Sequence, residues 1–387
     1  MPSLYTDFSS GSAKRFLNLF QRLSEVYGTG LTAVFSSFLP KGETFYGQKI
    51  KWGVIGAGGI ADRRTMPGMM LAKNAELIAV MDVNENIIEG LKEKYHAKYA
   101  YTNADDLIAN PEVEAVYIAT PVVFHAEQAV KAARAGKHVL MEKPIAMTVA
   151  QGRQVIADVD ACGVKSACGF MMRFGALNQQ IKKFIADGNI GQVVSAKAQF
   201  TCWYPDMPNC WRQQKKNGGG GAFVDMGVHC IDLIQNILGT TCDKVSALID
   251  TKTFKYEVDD SASVLMHLKN GCNAYVEANF NIPDAAAKWR LEFYGTKGCI
   301  TANDTIHQLD TGSVEVTLED GSHPDITADF TNLYTKEIES FSDSIINDTP
   351  VLVPLSDGVQ VQEIVEAAYY AAENEKVVNI DKFFGRA

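Results

Sequence analysis

The stretch IKWGVIGAGGIA, residues 50–61, decides the fold. Its first six residues form a near-continuous apolar run, as a strand buried on both faces requires. The run passes directly into Gly56, Gly58 and Ala61 at the spacing G-x-G-x-x-A. Glycines at the first two places permit a tight turn and let the backbone approach a pyrophosphate. The small third residue lets the following helix pack on the strand, and the N–H groups at that helix's start face the phosphates. Alone the motif is weak. Here a second apolar run, AELIAVMD (75–82), ends on Asp82, 21 residues beyond Ala61, where an acid accepts hydrogen bonds from the adenosine ribose hydroxyls. The same carboxylate repels a 2′-phosphate, so the expected cofactor is NAD rather than NADP. Arg63 and Arg64 could hold such a phosphate, but on the first turns of the helix, solvent or the pyrophosphate serves them equally well.

Further strands follow in VEAVYIATP (113–121) and KHVLMEKP (137–144), with the helical stretch VVFHAEQAVKAARAG (122–136) between them. Strands alternating with helices predict βαβ units and a parallel, doubly wound sheet. Ligands of such sheets bind beyond the carboxyl ends of the strands, so Thr120, Pro121, His125, Glu142, Lys143 and Pro144 lie on the correct edge. Lys143 by itself reads as readily as a surface lysine at a strand end.

Downstream, NGGGGAFVDMGVHCID (217–232) places Asp225, His229 and Asp232 at helical spacings of four and three, on one face of an otherwise apolar segment. A polar stripe there is expensive to bury and calls for a reason. As metal ligands the three have suitable chemistry, but no cysteine or second histidine stands near them, and no metal is expected. A buried, hydrogen-bonded histidine of purely structural role is the other alternative. Just before this segment, QFTCWYPDMPNCWR (199–212) brings up Trp203, Tyr204 and Trp211, whose rings suit the C–H faces of a pyranose and suit a core equally. Arg212 is better placed to hold a cofactor phosphate or a substrate oxygen than to be buried unpaired.

The chain has 387 residues and a formal charge of −10 from 36 basic and 46 acidic residues. That length fits two domains, and the charge offers no electropositive surface for nucleic acid. Its 8 cysteines contain no C-x-x-C pair and read as reduced thiols of a cytoplasmic protein. No segment reaches the ~20 apolar residues of a membrane span, and the N-terminus lacks the pattern of a signal peptide. That N-terminus does carry Phe16, Leu17, Leu19, Phe20, Leu23 and Val26 at roughly helical spacing, the pattern of a helix packed on its own domain or of an arm that docks on another subunit.

Taken in order, GVIGAGGIA, Asp82, ATPVVFH, EKPIA, GFMMRF (169–174), Trp211-Arg212 and GGGAFVDMGVHCIDL (219–233) resemble the glucose–fructose oxidoreductase, inositol dehydrogenase and rhizopine-catabolism (Gfo/Idh/MocA) family, over about residues 50–375. The resemblance implies three parts: an N-terminal extension (1–47), a Rossmann dinucleotide-binding domain (48–170) that closes with a strand near VKSACGF, and a C-terminal α/β domain (171–387) with a large open mixed, mostly antiparallel sheet. The runs VVSAKAQF, KVSALID, SASVLMHL, NAYVEANF and WRLEFYG alternate, as strands with one covered face would. In this family the other face commonly pairs with a second subunit, so a homodimer or homotetramer is expected. The resemblance further implies that Lys143, Asp225 and His229 form the catalytic group. Gly59, Ile60 and Arg173 join the residues expected at the cofactor, and Arg173 and Tyr204 join Lys143, Asp225 and His229 at the substrate. Two departures stand out: Ala176 occupies the usual proline position in RFGA, and Val83-Asn84 lacks the serine or basic residue of NADP-using members.

The expected reaction is hydride transfer from a ring hydroxyl carbon of a sugar, polyol or glycoside to nicotinamide. In it His229, near its ordinary pKa, is the general base, Lys143 stabilises the alkoxide, Asp225 orients the imidazole or binds a neighbouring hydroxyl, and Asp232 supports His229 from behind. Two other readings are an enzyme that retains NAD and cleaves or eliminates glycosides through transient oxidation, and a non-catalytic nucleotide sensor. The joint presence of Lys143 and His229 argues against the sensor.

Overall fold

A computed structural model of the chain describes residues 47–386. The apolar N-terminal stripe lies outside the described residues. The first sheet holds β1 (Ile50–Ile55), β2 (Ala75–Met81), β3 (Tyr99–Tyr101), β4 (Ala115–Ile118), β5 (His138–Glu142) and β6 (Ser166–Gly169), in the order β3-β2-β1-β4-β5-β6. Every pairing in it is parallel. The order reverses between β1 and β4, where two loops diverge and leave a crevice. Trp52, Val54, Ile55, Val116, Tyr117 and Ile118 are fully buried, as strands covered on both faces demand.

The second sheet is mixed and mostly antiparallel. It runs β13 (Ser313–Leu318), β12 (Gly298–Asn303), β11 (Trp289–Gly295), β7 (Val193–Thr201), β10 (Asn273–Asn279), β9 (Ser261–Leu268), β8 (Cys242–Asp250) and β14 (Val378–Asn379). Only β7 and β10 pair in parallel. Along β9, Ala262, Val264, Met266 and Leu268 point into the core while Leu265 points out, 58% exposed. Leu248 on β8 is 72% exposed on the same outer face.

The helix Val228–Leu238 packs beneath this sheet and is apolar nearly all round. Its buried Val228, Ile231, Leu233, Ile234 and Ile237 each contribute roughly 1.5–3 kcal/mol. That is enough to offset the three polar residues buried in the same helix, His229, Asp232 and Gln235. The chain then returns to the first sheet. In the helix Leu333–Ile346, Ser342 Oγ accepts from the Trp52 indole N–H at 3.1 Å, and Phe341 packs on the Trp52 ring.

At RFGA the helix Ala176–Ala186 starts immediately after a 3₁₀ turn, Met171–Phe174. The Ala176 N–H, which a proline would lack, donates to Asp310 Oδ1 at 2.9 Å. All eight cysteines are free thiols, and among the described residues no helix is long and apolar enough to cross a membrane.

Candidate active site

The glycine turn forms because its first residue must be glycine. Gly56 has φ +83°, and a Cβ there would lie 2.9 Å from the backbone of Ala119 and Thr120. The Gly58 N–H donates to Asp82 Oδ2 at 2.9 Å, and Oδ1 of the same carboxylate accepts from the Asn84 N–H at 3.0 Å. Asp82 therefore stands at the mouth of the turn, as its spacing predicted. The chain leaves the turn through a π-helical turn, Ala61–Thr65, before Met66–Leu71 becomes α-helical. A Cβ built on Gly59 meets no atom, so this side of the turn is open to a ligand. Open space against a glycine backbone with an acid at the ribose position fits a dinucleotide.

Beyond Ile60 lies a cavity of about 560 Å³ between the two sheets. It gathers Ile60, Thr120, His125, Glu142, Lys143, Tyr204, Trp211, Arg212, Asp225 and His229, which come from six separate parts of the chain. A larger cavity of about 670 Å³ opens behind Lys143-Pro144 and Gly218–Gly220, but it contains neither Asp225, His229 nor the glycine turn. The site therefore belongs to the smaller one.

Lys143 Nζ donates to Asp225 twice, to the main-chain oxygen at 2.6 Å and to Oδ1 at 2.9 Å. Arg212 Nε lies 3.8 Å from the same Oδ1, and its guanidinium stacks over the Trp211 ring. Burial alone would raise the Asp225 carboxyl, but the Lys143 and Arg212 cations outweigh it and hold the group well below the carboxylate range. His229 is 4% exposed, with Phe170 edge-on to its ring, and its Nδ1 has no partner. Burial first, and then the Lys143 charge, push its pKa well below 6.5. The expectation of an imidazole near its ordinary pKa is thereby corrected: this ring is neutral at neutral pH.

Two further expectations change. Asp225 holds Lys143, with no hydrogen bond to the imidazole. Asp232 does not support His229. It turns to Arg173, whose Nε and Nη2 donate to it at 2.5–3.1 Å while Nη1 donates to Asp357 at 2.7 Å. Arg173 is thus absent from the lining of this cavity, its guanidinium being taken up by the two carboxylates. The shared helical face fails for a local reason. Phe223–Gly227 is a π-helical turn, and its wider i→i+5 winding breaks the 3.6-residue register that would align Asp225 with Asp232. With Asp232 withdrawn, the three residues do not converge on a metal position.

His125 lines the cavity, but its ring nitrogens sit 2.8 Å from the carbonyl oxygens of Thr120 and Pro144. It braces the loops after β4 and β5 against each other, and burial lowers its pKa. Glu142 accepts from the Tyr117 hydroxyl at 2.5 Å. Pro121 opens the 3₁₀ turn Val122–Phe124 behind Thr120.

At the other end of the cavity the Tyr204 ring packs on Phe280 at 4.7 Å between centroids, and Trp289 packs on His307 at 4.3 Å. Trp203 is not part of this wall and meets Phe254 edge-to-face outside it. Phe200, Phe280, Trp289 and His307 escaped the sequence reading. An inward aromatic on a strand looks like core, and NDTIHQLD (303–310) carries no pattern at all.

Close backbone packing accounts for part of the glycine run at 218–221. Gly218, Gly220 and Gly221 do line the cavity, but a Cβ on Gly221 would lie 1.8 Å from the carbonyl oxygen of Asp259, so close backbone packing alone forbids a side chain there.

Comparison with known proteins agrees with this architecture. Residues 50–170 match the description "Oxidoreductase family, NAD-binding Rossmann fold" and residues 178–301 match "GFO/IDH/MocA C-terminal domain". The chain is 27% identical over 296 residues to a 1,5-anhydro-D-fructose reductase of Ensifer adhaerens, covering 76% of this chain and 88% of the relative. It is 27% identical over 342 residues to a myo-inositol 2-dehydrogenase of Thermotoga maritima, covering 86% and 99%. Among solved structures, an aldose-aldose oxidoreductase from Caulobacter crescentus superimposes with a TM-score of 0.80 at 26% identity, covering 86% of this chain and 100% of that one. The chain belongs to the Gfo/Idh/MocA family of NAD-binding oxidoreductases.

Proposed function

We propose that this protein oxidises a ring hydroxyl of a sugar, an inositol or a glycoside to the ketone, with position 3 of a glucoside as the first site to try. One observation carries the reading: Lys143, Asp225 and His229 line the same cavity as Ile60 at the end of the glycine turn. NAD, when bound along that turn, supplies a nicotinamide that accepts hydride. Asp82 favours it over NADP by repelling a 2′-phosphate.

The protein's own groups divide the remaining work. His229, neutral and in acceptor form, takes the hydroxyl proton as general base. Its lowered pKa makes it a weaker base but keeps it free of bulk protons at neutral pH. An ammonium has three N–H donors. Two of those on Lys143 end on Asp225, which leaves the third for the substrate oxygen as it gains charge in a water-poor site. Asp225 therefore acts on the reaction by aiming Lys143. Tyr204, Phe280 and Trp289 offer ring faces to the C–H side of a pyranose. A homodimer or homotetramer accompanies this reading, formed across the outer face where Leu248 and Leu265 are exposed.

The test is to incubate purified protein with NAD and a panel of sugars, inositols and glycosides and to follow NADH absorbance. Lys143→Met or His229→Ala should lower turnover about 10²- to 10⁴-fold with NAD affinity little changed. Near-normal turnover in either variant refutes the mechanism.

A further inference from the structure

Asp259 is not among the residues lining the catalytic cavity; it lies in EVDDSAS (257–263) just ahead of β9 and is buried. Its carboxylate is fully engaged. Oδ1 accepts from the Gly221 N–H at 2.9 Å and from the Tyr369 hydroxyl at 2.5 Å, and Oδ2 accepts from the Phe223 N–H at 2.8 Å. Its main-chain oxygen accepts from the Ala222 N–H at 2.9 Å. Three consecutive amides at the start of the segment that carries Asp225 and His229 thus end on one residue. Helix starts leave such N–H groups without intrahelical partners, and a nearby cap ordinarily satisfies them. Here the cap is 36–38 residues away in sequence.

We propose that Asp259 is a positioning residue for the reaction, fixing the backbone from Gly221 to Phe223 and thereby where Asp225 presents Lys143 to the cavity. The connection is short. The Asp225 N–H donates to the Gly221 oxygen at 2.9 Å, and both Asp225 oxygens that hold Lys143 belong to the next turn. Gly221 has little room to shift toward Asp259, because a Cβ built on it would lie 1.8 Å from the Asp259 carbonyl oxygen. The inference rests on the reading that Lys143, Asp225 and His229 do the chemistry.

The neighbouring residue supplies the control. Asp260 is buried even more completely, but its carboxylate accepts from the N–H groups of Lys252, Thr253 and Phe254 and from Asn281 Nδ2, none of them in the segment from 221 to 229. Both aspartates organise backbone, so both should matter to stability; only Asp259 should matter to Lys143.

The experiment compares Asp259→Asn, Tyr369→Phe and Asp260→Asn in the full chain. Asp259→Asn is expected to lower kcat about 10- to 100-fold, the scale of a catalytic group displaced by about an ångström, with NAD affinity within about twofold. Tyr369→Phe lowers kcat less, in the same direction, and Asp260→Asn leaves it close to wild type. A second readout needs no turnover: acetylation of Lys143 by dilute acetic anhydride, followed by peptide mass spectrometry. The Lys143 amine reacts faster in Asp259→Asn and Tyr369→Phe than in wild type or Asp260→Asn, because it is loosened from Asp225. If Asp259→Asn does not fold, Tyr369→Phe decides. Wild-type kcat and wild-type Lys143 labelling in the Asp259 and Tyr369 variants, with thermal stability lost as in Asp260→Asn, would make Asp259 a structural cap and overturn the proposal. Wild-type protein that oxidises nothing on the panel would count against the proposed reaction instead, and the labelling comparison would still decide the role of Asp259.

Discussion

Arg173 separates two readings of this chain, and replacing it by Gln discriminates between them. The family pattern places it at cofactor and substrate; the structure gives its guanidinium three contacts with Asp232 and one with Asp357. The Asp232 side chain is 1% exposed. Removing one partner of a buried pair leaves an uncompensated charge and costs about 3–5 kcal/mol. For 387 residues, unfolding entropy of about 2.1 cal/mol/K per residue converts that to a fall in melting temperature of about 4–6 °C. The cost depends on pH with a definite sign. Burial pushes the Asp232 carboxyl up to about 6 even with Arg173 beside it, and losing the cation raises it further. Below that range the carboxyl escapes the penalty by taking a proton; above it the charge must stay. The destabilisation is therefore smaller at pH 6 than at pH 8. Asp232→Asn added to Arg173→Gln should recover much of the loss, because no buried charge remains. The assay is thermal unfolding at both pH values, with NAD affinity measured by titration, which should change by no more than about twofold. An unchanged melting temperature together with a tenfold weaker NAD affinity would refute the structural assignment and restore Arg173 to the cofactor.

Three other outcomes are expected. The unfolded chain binds a proton on His229 near pH 6.5, but the folded chain does so only at lower pH. Activity should thus persist below 6.5 while stability declines as pH falls through that interval, and an acid limb of kcat/KM centred at or above 6.5 would contradict the buried, neutral ring. Asp82→Ser should lower the ratio of KM for NADP to KM for NAD by about tenfold or more, with a slower reaction overall because Gly58 and Asn84 lose their acceptor; steady-state kinetics with both cofactors checks it. Lysines placed at both Leu248 and Leu265 on the outer sheet face should lower the assembly mass measured by light scattering, and an unchanged mass would remove that face from the interface.

How much was legible beforehand follows from how local each determinant is. The parallel sheet was readable because β1, β2, β4 and β5 are largely buried on both faces and therefore written as near-continuous apolar runs. Gly56 and Asp82 were readable because a left-handed turn restricts its residue type and the acid that accepts from the turn lies within the same βαβ unit. Lys143 and His229 became readable only through the wider motif order. What stayed hidden involves either distant partners or a change of helical winding. Arg173 meets Asp232 across 59 positions and Asp259 meets Gly221 across 38. No periodicity within a window reports either. The π-helical turn at Phe223–Gly227 defeated the opposite kind of inference, since a 3.6-residue wheel assumes the winding it was used to predict. The adjacent acids at 259–260, set immediately before an alternating strand, were a visible signal, because two carboxylates at a buried strand start need backbone donors to be tolerable.

The partners of each buried acid give a physical criterion for which groups act. Asp259 and Asp260 spend their lone pairs on backbone N–H groups, and Asp232 spends its own on a guanidinium, so these charges are consumed by the scaffold. Glu337 is buried with both carboxyl oxygens unpartnered, and it meets that cost differently: burial, with Glu142 adding to it, raises its pKa well above the ordinary value, so it stays neutral. Lys143 and His229 fit neither pattern. Lys143 keeps one of its three donors beyond Asp225, and His229 has no partner on either ring nitrogen among the described residues; Nδ1 is sealed in protein, which leaves Nε2 to face a ligand. Unspent hydrogen-bonding capacity in a protein interior costs free energy unless a ligand uses it. A bound alcohol uses both at once, because its hydroxyl can give a proton to the imidazole while its oxygen accepts from the ammonium. Lys143 and His229 are thus two cavity-lining residues that a hydroxyl would complete, and an analogue lacking that hydroxyl should bind more weakly.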